Sequence, residues 1–422
     1  MLSSSKARVS LRTPLIASAL AWAVLHSGPL PAQSLTLDEV IARVGAADPS
    51  VALNLAQRQA ADAGVRQAGI GPRDMIGVEV ENFAGSGAYS PADRTETTAW
   101  YERTFERGDK RAARVGAARA DVAVAELRGR LRMLDLFAQV QIAWVEALAA
   151  EAAIPIAEQR LALAERLQRE VDRRVARALD PRFAAERART AAAQARIALD
   201  QVRETARIAR AGLSSYWGGS GDIALAAGGF AALDEARTRG DLVDIGLLEA
   251  ERDAAEARTR LARSANVGDP TLRGGLRHFR EGDDVALMVG GSIPLGNRRA
   301  NAGNVEKAEA ERRASEAELL MTRAERNREA GRLTAERRAT LSEIGRIEGE
   351  VLPVAERAVV LVRDGFNRGG TAFTYLEVSQ AQQAVIEART RRIELLRRYH
   401  LLGARLDRLT GRHLALASAE NR

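Results

Sequence analysis

Along most of the chain, apolar residues recur every third and fourth position with charged residues between them. This is the spacing of a narrow helical seam packed against a partner helix. Ile344, Ile347, Val351, Val354, Ala358 and Leu361 keep it, and Leu395, Tyr399, Leu402, Leu406 and Leu409 repeat it. From Lys110 to Arg174 the chain is rich in Ala, Glu, Arg and Leu, with one Pro and two Gly. That composition predicts helix for most of ~65 residues, or ~100 Å at 1.5 Å per residue. Pro155 and Pro353 fall inside such runs, where each is expected to bend or interrupt the helix at the same place in two related segments.

Two regions leave the helical period for an alternating one. Met75 to Phe83 (MIGVEVENF) is followed by a Gly/Ser/Pro/Asp loop, Ala84 to Arg94, and then by Thr97 to Phe105 (TTAWYERTF). Leu272 to Phe279 (LRGGLRHF) is followed by the loop Arg280 to Asp284 and by Val285 to Ile293 (VALMVGGSI). Each region predicts a hairpin of strands of about nine residues, the length that crosses a bilayer when tilted. Glu102 and Arg103 place a charge on each face of the second strand. Two hairpins do not close a barrel, and open edges in lipid leave backbone groups unpaired, so a membrane role requires other copies of the chain.

The chain is duplicated. Phe105-Glu-Arg-Gly108-Asp-Lys-Arg111-Ala112 is answered by Ile293-Pro-Leu-Gly296-Asn-Arg-Arg299-Ala300, each where a strand-like run gives way to a helical one. Ile154-Pro155-Ile156-Ala157-Glu158 is answered by Leu352-Pro353-Val354-Ala355-Glu356, and Gly71-Pro72 by Asp269-Pro270, at spacings of about 188 to 198 residues. The predicted organisation begins with an export signal over 1–32. A first repeat over 33–218 holds a helix, a hairpin 75–105, a long helix 110–174 and a return helix 181–217. A linker over 219–239 leads to a second repeat over 240–411, with a helix, a hairpin 272–293, a long helix 298–364 and a return helix 373–410. A tail over 412–422 ends the chain. The fold class is therefore mainly α with a small β part: long coiled-coil helices and four strands per chain.

The signal is read from Lys6, Arg8 and Arg12 without an acidic residue, an apolar run from Leu15 to Leu25, and Leu30-Pro31-Ala32 at a cleavage point. The run is about half the ~20 residues a spanning helix requires. The 422 residues contain no Cys, which excludes disulfides, thiolate metal sites and an N-terminal lipid anchor on Cys. Sixty of the 63 basic residues are Arg, but the 56 carboxylates are interleaved with them, as on solvated helix faces, and no nucleic-acid partner is expected. His278, His400 and His413 lie on different segments without a ligand-spaced partner and are expected at the surface. Gly218-Gly-Ser-Gly221 lacks the Lys of a phosphate loop. No enzyme chemistry, cofactor or tight metal site is expected.

Phe366-Asn-Arg-Gly369, then Tyr375-Leu376-Glu377-Val378 with Ala381-Gln382, and Leu406-Asp407-Arg408-Leu409-Thr410-Gly411 resemble the second-half turn and return helix of TolC-type outer-membrane efflux proteins. Val80-Glu81-Asn82-Phe83-Ala84-Gly85-Ser86-Gly87 and Gly108-Asp109-Lys110-Arg111-Ala112-Ala113-Arg114 are similar to the cobalt-zinc-cadmium resistance branch, CzcC. The resemblance implies a homotrimer with a 12-stranded outer-membrane β-barrel and an α-barrel across the periplasm. It also implies a periplasmic adaptor, an inner-membrane RND-type pump and outer-membrane lipid as partners.

On the same resemblance, Glu377 and Gln380 occupy the two gate positions, and Gln380 departs from the family's second acidic residue. Asp180 and Pro181 mark one tip turn for adaptor docking, and Arg368, Gly369 and Gly370 the other. Asp180 is read as helix cap and Pro181 as first helical residue. Gly108, Arg111, Gly296 and Arg299 mark the strand-to-helix junctions. The cargo is expected to be divalent heavy-metal cations, conducted passively. A drug or polypeptide duct, or a periplasmic coiled-coil rod outside any membrane, are the alternatives.

Overall fold

Ala-, Glu- and Arg-rich runs fold as long helices, and the alternating runs fold as strands at one end of them. The structure, a computed structural model, describes residues 34–89, 92–221, 223–233, 243–368 and 374–413. The expected export signal, Gly369 and Gly370 lie outside the described residues. Two helices, α1 (Leu37–Ala47) and α2 (Pro49–Ala68), lead into β1 (Met75–Glu81), β2 (Glu96–Thr104), α3 (Lys110–Ala176) and α4 (Arg182–Ser214). The second half repeats the order with α5 (Val243–Ser264), β3 (Thr271–Phe279), β4 (Asp284–Ser292), α6 (Asn297–Ala300) and α7 (Ala302–Arg346). A π turn (Ile347–Val351) then leads to α8 (Leu352–Asn367), and α9 (Tyr375–Thr410) returns.

The two prolines behave differently, against expectation. The helix α3 runs unbroken for 67 residues through Pro155. One missing amide donor is a small loss when ion pairs to α4 brace the turns on either side, Arg210 to Glu151 before it and Arg203 to Glu158 after it. In the second half the run expected over 298–364 is divided. Asn301 separates α6 from α7, its amide bonded to the Ala262 carbonyl (2.7 Å) and to Asn266 (2.9 Å). The π turn then lies just before Pro353 and contains Gly349, whose carbonyl a proline ring four residues later would strike in a regular helix.

Helices α3 and α4 form an antiparallel pair whose seam is built from Ala184, Ala188, Ala192, Ala195, Leu199 and Ala206, all buried. Small side chains bring the backbones close. Flanking the seam is a ladder spaced by seven residues on each helix. Arg189 meets Asp172 (3.4 Å), Arg196 meets Glu165 (2.8 Å), Arg203 meets Glu158 (2.8 Å), and Arg210 meets Glu151. Exposed pairs of this kind contribute ~0.2–1 kcal/mol each, so burial of the seam supplies the stability and the ladder fixes the register.

The largest core cluster lies midway along the helices. Val40, Ile41 and Val44 of α1 pack with Phe137, Val140 and Trp144 of α3, Ile344 of α7 and Leu395 and Tyr399 of α9. Segment 223–233 closes over it: Leu35 and Leu225 form a parallel bridge, Phe230 is buried, and its ring stacks on His400 at 5.5 Å. An 18-residue window of α3 is apolar enough to cross a membrane by composition. Its apolar side chains from Met133 to Ala149 are instead the centre of this cluster. His413 is also buried, against the expected surface position, because Gln141 and Asp407 make a polar niche there (Gln141 to Asp407, 2.8 Å; His413 to Gln141, 3.3 Å).

The four strands form one antiparallel sheet in the order β1-β2-β3-β4, with β2 and β3 joining the two halves. Among the described residues β1 and β4 have no outer neighbour. Phe137, 2 % exposed, is one of the largest fully buried side chains of the cluster midway along the helices. Replacing it with Ala should lower the unfolding free energy by about 3–5 kcal/mol, seen as a lower melting temperature of helical circular dichroism in detergent.

Candidate functional site

The sheet separates its side chains by kind. One face carries Ile76, Val78 and Val80 of β1, Leu272 and Leu276 of β3, and Val285, Leu287 and Val289 of β4. These are exposed: Ile76 by 85 %, Leu287 by 77 % and Val289 by 74 %. The other face carries Glu79 and Glu81, Glu96, Thr98, Trp100 and Glu102, and Arg273 and Arg277. Alternation at period two puts the two sets on opposite sides.

The charged face is ordered by ion pairs. Arg277 lies between Glu81 (2.8 Å), Glu96 (2.7 Å) and the Thr98 hydroxyl (2.9 Å), while Arg273 meets Glu102 at 3.0 Å. The Arg273 guanidinium also stacks over the Trp100 ring at 4.1 Å. Trp100 lies flat because its neighbours across both ladders are glycines, Gly77 and Gly275. Arg103, the charge on the apolar face, is at the strand's end, where it pairs with Asp74 (3.3 Å) and Tyr101 donates to the same carboxylate (2.6 Å).

At the first strand-to-helix junction, Gly108 (φ 73°) and Asp109 (φ 56°) make a left-handed turn into α3. A Cβ on Gly108 would come within 2.7 Å of Val267 at the end of α5. The junction is tied across halves: Asp269 accepts from the Arg107 amide (2.9 Å) and from Lys110 Nζ (2.7 Å). Glu106 binds Arg114 and stands 3.6 Å from Arg111, whose guanidinium fills the space above Gly71. At the second junction Gly296 (φ 78°) caps α6, and the Arg299 amide donates to its carbonyl at 3.2 Å.

The opposite end of the helices holds the tip turns. Against the expectation from the sequence, Asp180 does not cap α4. Pro181 (ψ 150°) occupies the cap position, the helix starts at Arg182, and the Asp180 carboxylate is held by Arg174 (2.9 and 3.1 Å). The same guanidinium donates to the Phe366 carbonyl (3.1 Å) and stacks on the Phe366 ring (4.4 Å). One side chain thus ties the first-half turn to the end of α8. Beneath it Leu167, Val171, Ala184, Ala188, Phe366 and Val378 form a small core. Arg368 is exposed at the end of α8, its amide bonded to the Asp364 carbonyl (3.2 Å).

Glu377 is the third residue of α9 and closes a capping box with Thr374. Its Oε2 accepts from the Thr374 amide (2.9 Å) and hydroxyl, while the Leu376 amide donates to Thr374 Oγ1 (3.2 Å). The Thr374 hydroxyl, and then the backbone amides at the start of α9, hold the Glu377 carboxyl below the usual carboxylate range. Gln380 is exposed one turn on. The structure therefore places Glu377 and Gln380 on the same first turns of α9, far from the junction glycines. Sequence reasoning missed the Arg174 tie, which spans 192 residues. It also missed the capping box, although Thr374-x-x-Glu377 ahead of an apolar run is its signature. No group of three metal-ligating side chains converges among the described residues.

No protein-family model matches the chain. It is 26 % identical over 392 residues, 90 % of either protein, to the cobalt-zinc-cadmium resistance protein CzcC of Cupriavidus metallidurans. Its structure superposes on the outer membrane protein VceC of Vibrio cholerae with a TM-score of 0.70 at 20 % identity, covering 89 % of this chain and 96 % of that one. The chain has the TolC-type fold and is similar in sequence to CzcC. The outer-membrane channel OprN shares the same fold, with a TM-score of 0.75 at 15 % identity over 89 % of each chain. A TolC-type fold accounts for both ends of the molecule at once, a sheet with an apolar outer face at one and helix turns at the other.

Two tests address this geometry. A Cβ on Gly275 would sit 2.5 Å from the Ala99 carbonyl, whereas one on Gly274 meets nothing within 4 Å. Gly275→Ala should therefore reduce the yield of membrane-inserted protein severalfold and Gly274→Ala should not, measured by quantitative blotting of outer-membrane fractions. For the tip, a carboxyl with a depressed folded pKa stabilises above its unfolded value and loses that contribution as pH falls through the folded one. Amide protection in the first turn of α9, corrected for intrinsic exchange, should fall as pH drops below about 4.3, the free Glu value. Thr374→Ala should produce the same loss at neutral pH.

Proposed function

We propose that the chain is an outer-membrane exit duct of a tripartite efflux system, acting as a homotrimer that passes divalent heavy-metal cations out of the cell. The observation that carries this reading is the sheet: an exposed apolar face, a charged face, and two free edges above helices of ~100 Å. Three copies of the four-stranded sheet make a 12-stranded barrel, with the apolar face toward lipid and the charged face toward the lumen. The long helices continue the duct through the periplasm. A coiled-coil rod outside the membrane has no use for such a sheet.

The metal cargo is supported by the likeness to CzcC across nearly the whole chain. The duct supplies no energy. An inner-membrane RND-type pump does so, through a periplasmic adaptor seated at the tip turns around Asp180, Pro181 and Arg368 to Gly370. The gate is at the same end. Three copies of Glu377 around the axis make a ring that favours cations, with Gln380 one turn deeper adding no charge. The tie from Arg174 to Phe366 joins the end of α8 to the α3–α4 turn.

Cellular accumulation of zinc, cobalt and cadmium, beside a hydrophobic dye, tests the reading in a strain lacking the gene and in one complemented with it. Selective metal retention, reversed by complementation, is the expected outcome. Dye retention alone would reject the metal cargo and keep the duct. Unchanged accumulation of both, with release of the protein by osmotic shock, would overturn it.

A further inference from the structure

The internal duplication extends to the pairing of individual strand residues. A shift of 198 residues carries Met75 of β1 onto Arg273 of β3, and a shift of 188 carries Glu102 of β2 onto Gly290 of β4. Met75 pairs with Glu102, and Arg273 pairs with Gly290. At the other end the same shifts carry Glu81 and Glu96, which are paired, onto Phe279 and Asp284, which are also paired. The two hairpins therefore share one register. The shifts differ because the connecting loops do, 82–95 in the first hairpin and 280–283 in the second.

The joint between the halves, β2 against β3, runs from Glu96↔Phe279 to Thr104↔Thr271. Its counterpart under the same two shifts is β4 against β1, a pairing the single chain cannot make because these are its outer strands. We propose that β4 of one copy pairs antiparallel with β1 of the next in this register, with Leu287 opposite Val78, Val289 opposite Ile76 and Val285 opposite Val80. The occupant of each free edge is thus the other free edge of a second copy. This inference rests on the trimeric-channel reading and adds the residue pairing to it.

Two observations that did not enter the construction agree with it. The pairs bring together six of the strongly exposed apolar residues of the sheet, all on its apolar face, so the band is continuous across the seam. A slip by one residue would set this face against the charged one. On the charged face Ala286 falls opposite Glu79 and Met288 opposite Gly77. Met288 then flanks Trp100, which already covers Gly77, as a large side chain beside a glycine.

The natural absence of Cys makes the full-length chain directly suitable for cross-linking. Directly opposed residues have Cα separations of ~4.5 or ~5.5 Å, both within disulfide range, whereas diagonal neighbours lie at ~7–8 Å. The paired variants are V78C with L287C, and E79C with A286C, so that one close and one wide pair are sampled. The shifted controls are V78C with V285C and V78C with V289C. Mild oxidation of outer membranes should give reducible dimer and trimer bands at least severalfold stronger for the matched pairs than for the shifted ones.

Cross-linking by the shifted pairs alone would overturn the register and leave the trimer standing. No cross-link in any variant, from particles that still size as trimers in detergent, would also overturn it. Variants that remain monomeric, with the unsubstituted chain monomeric too, would remove the trimeric reading and the register together. Single-Cys variants that trimerise as the parent does establish that substitution itself spares assembly.

Discussion

Unpaired backbone groups are the constraint on which the rest of this molecule depends. In hydrocarbon each amide or carbonyl left without a partner costs several kcal/mol, so a sheet with two bare edges has no stable solitary form there. Everything around the sheet answers this. One face is apolar, the other pairs Arg273 and Arg277 with three of its four glutamates, and its two edges are the outer strands β1 and β4. The tie from Asp269 to Lys110 joins the approach to β3 with the start of α3, and that from Glu106 to Arg114 braces the passage from β2 into α3.

The helical end answers a different constraint. Long helices laid side by side have little core along most of their length: α2 fully buries no residue, and α7 buries six of its 45. Ala seams and seven-residue ion ladders are the economical solution, because close approach substitutes for bulk and paired charges keep the register. Bulk is concentrated in the belt around Phe137 and Tyr399 and in the small core under Phe366. Between these two cores α8 is separated from α7 by a π turn, whereas α3 passes the same level unbroken. The two halves thus share a plan and differ in the continuity of the long helix.

Much of the fold was legible in the sequence. Strand alternation and helical seams are periodic signals, and the duplication doubled each of them, so the order of helix, hairpin, long helix and return helix stood out. The prolines misled because a proline's effect depends on its neighbours. Pro155 is braced by Arg203 and Arg210 on α4, which no local pattern announces. At the tip, Asp180 looked like a cap from its place before Pro181, but Arg174 six residues back competes for the carboxylate and wins with two hydrogen bonds. Glu377 was located by resemblance. Its local role, closing the start of α9, follows from a four-residue signature that the search for a charge ring passed over. His413 was misplaced because its partner Gln141 is 272 residues distant.

The two hairpin connections differ in length while the strands below them keep one register. Residues between Asn82 and Thr95 are therefore not part of what sets the wall, and a change in their number is absorbed without reaching the ladder. In the proposed outer-membrane duct that end of the molecule is the one farthest from the tip turns. On that reading the outer loops can lengthen or shorten while the wall beneath them keeps its strand number and register, so loop length and bore vary independently.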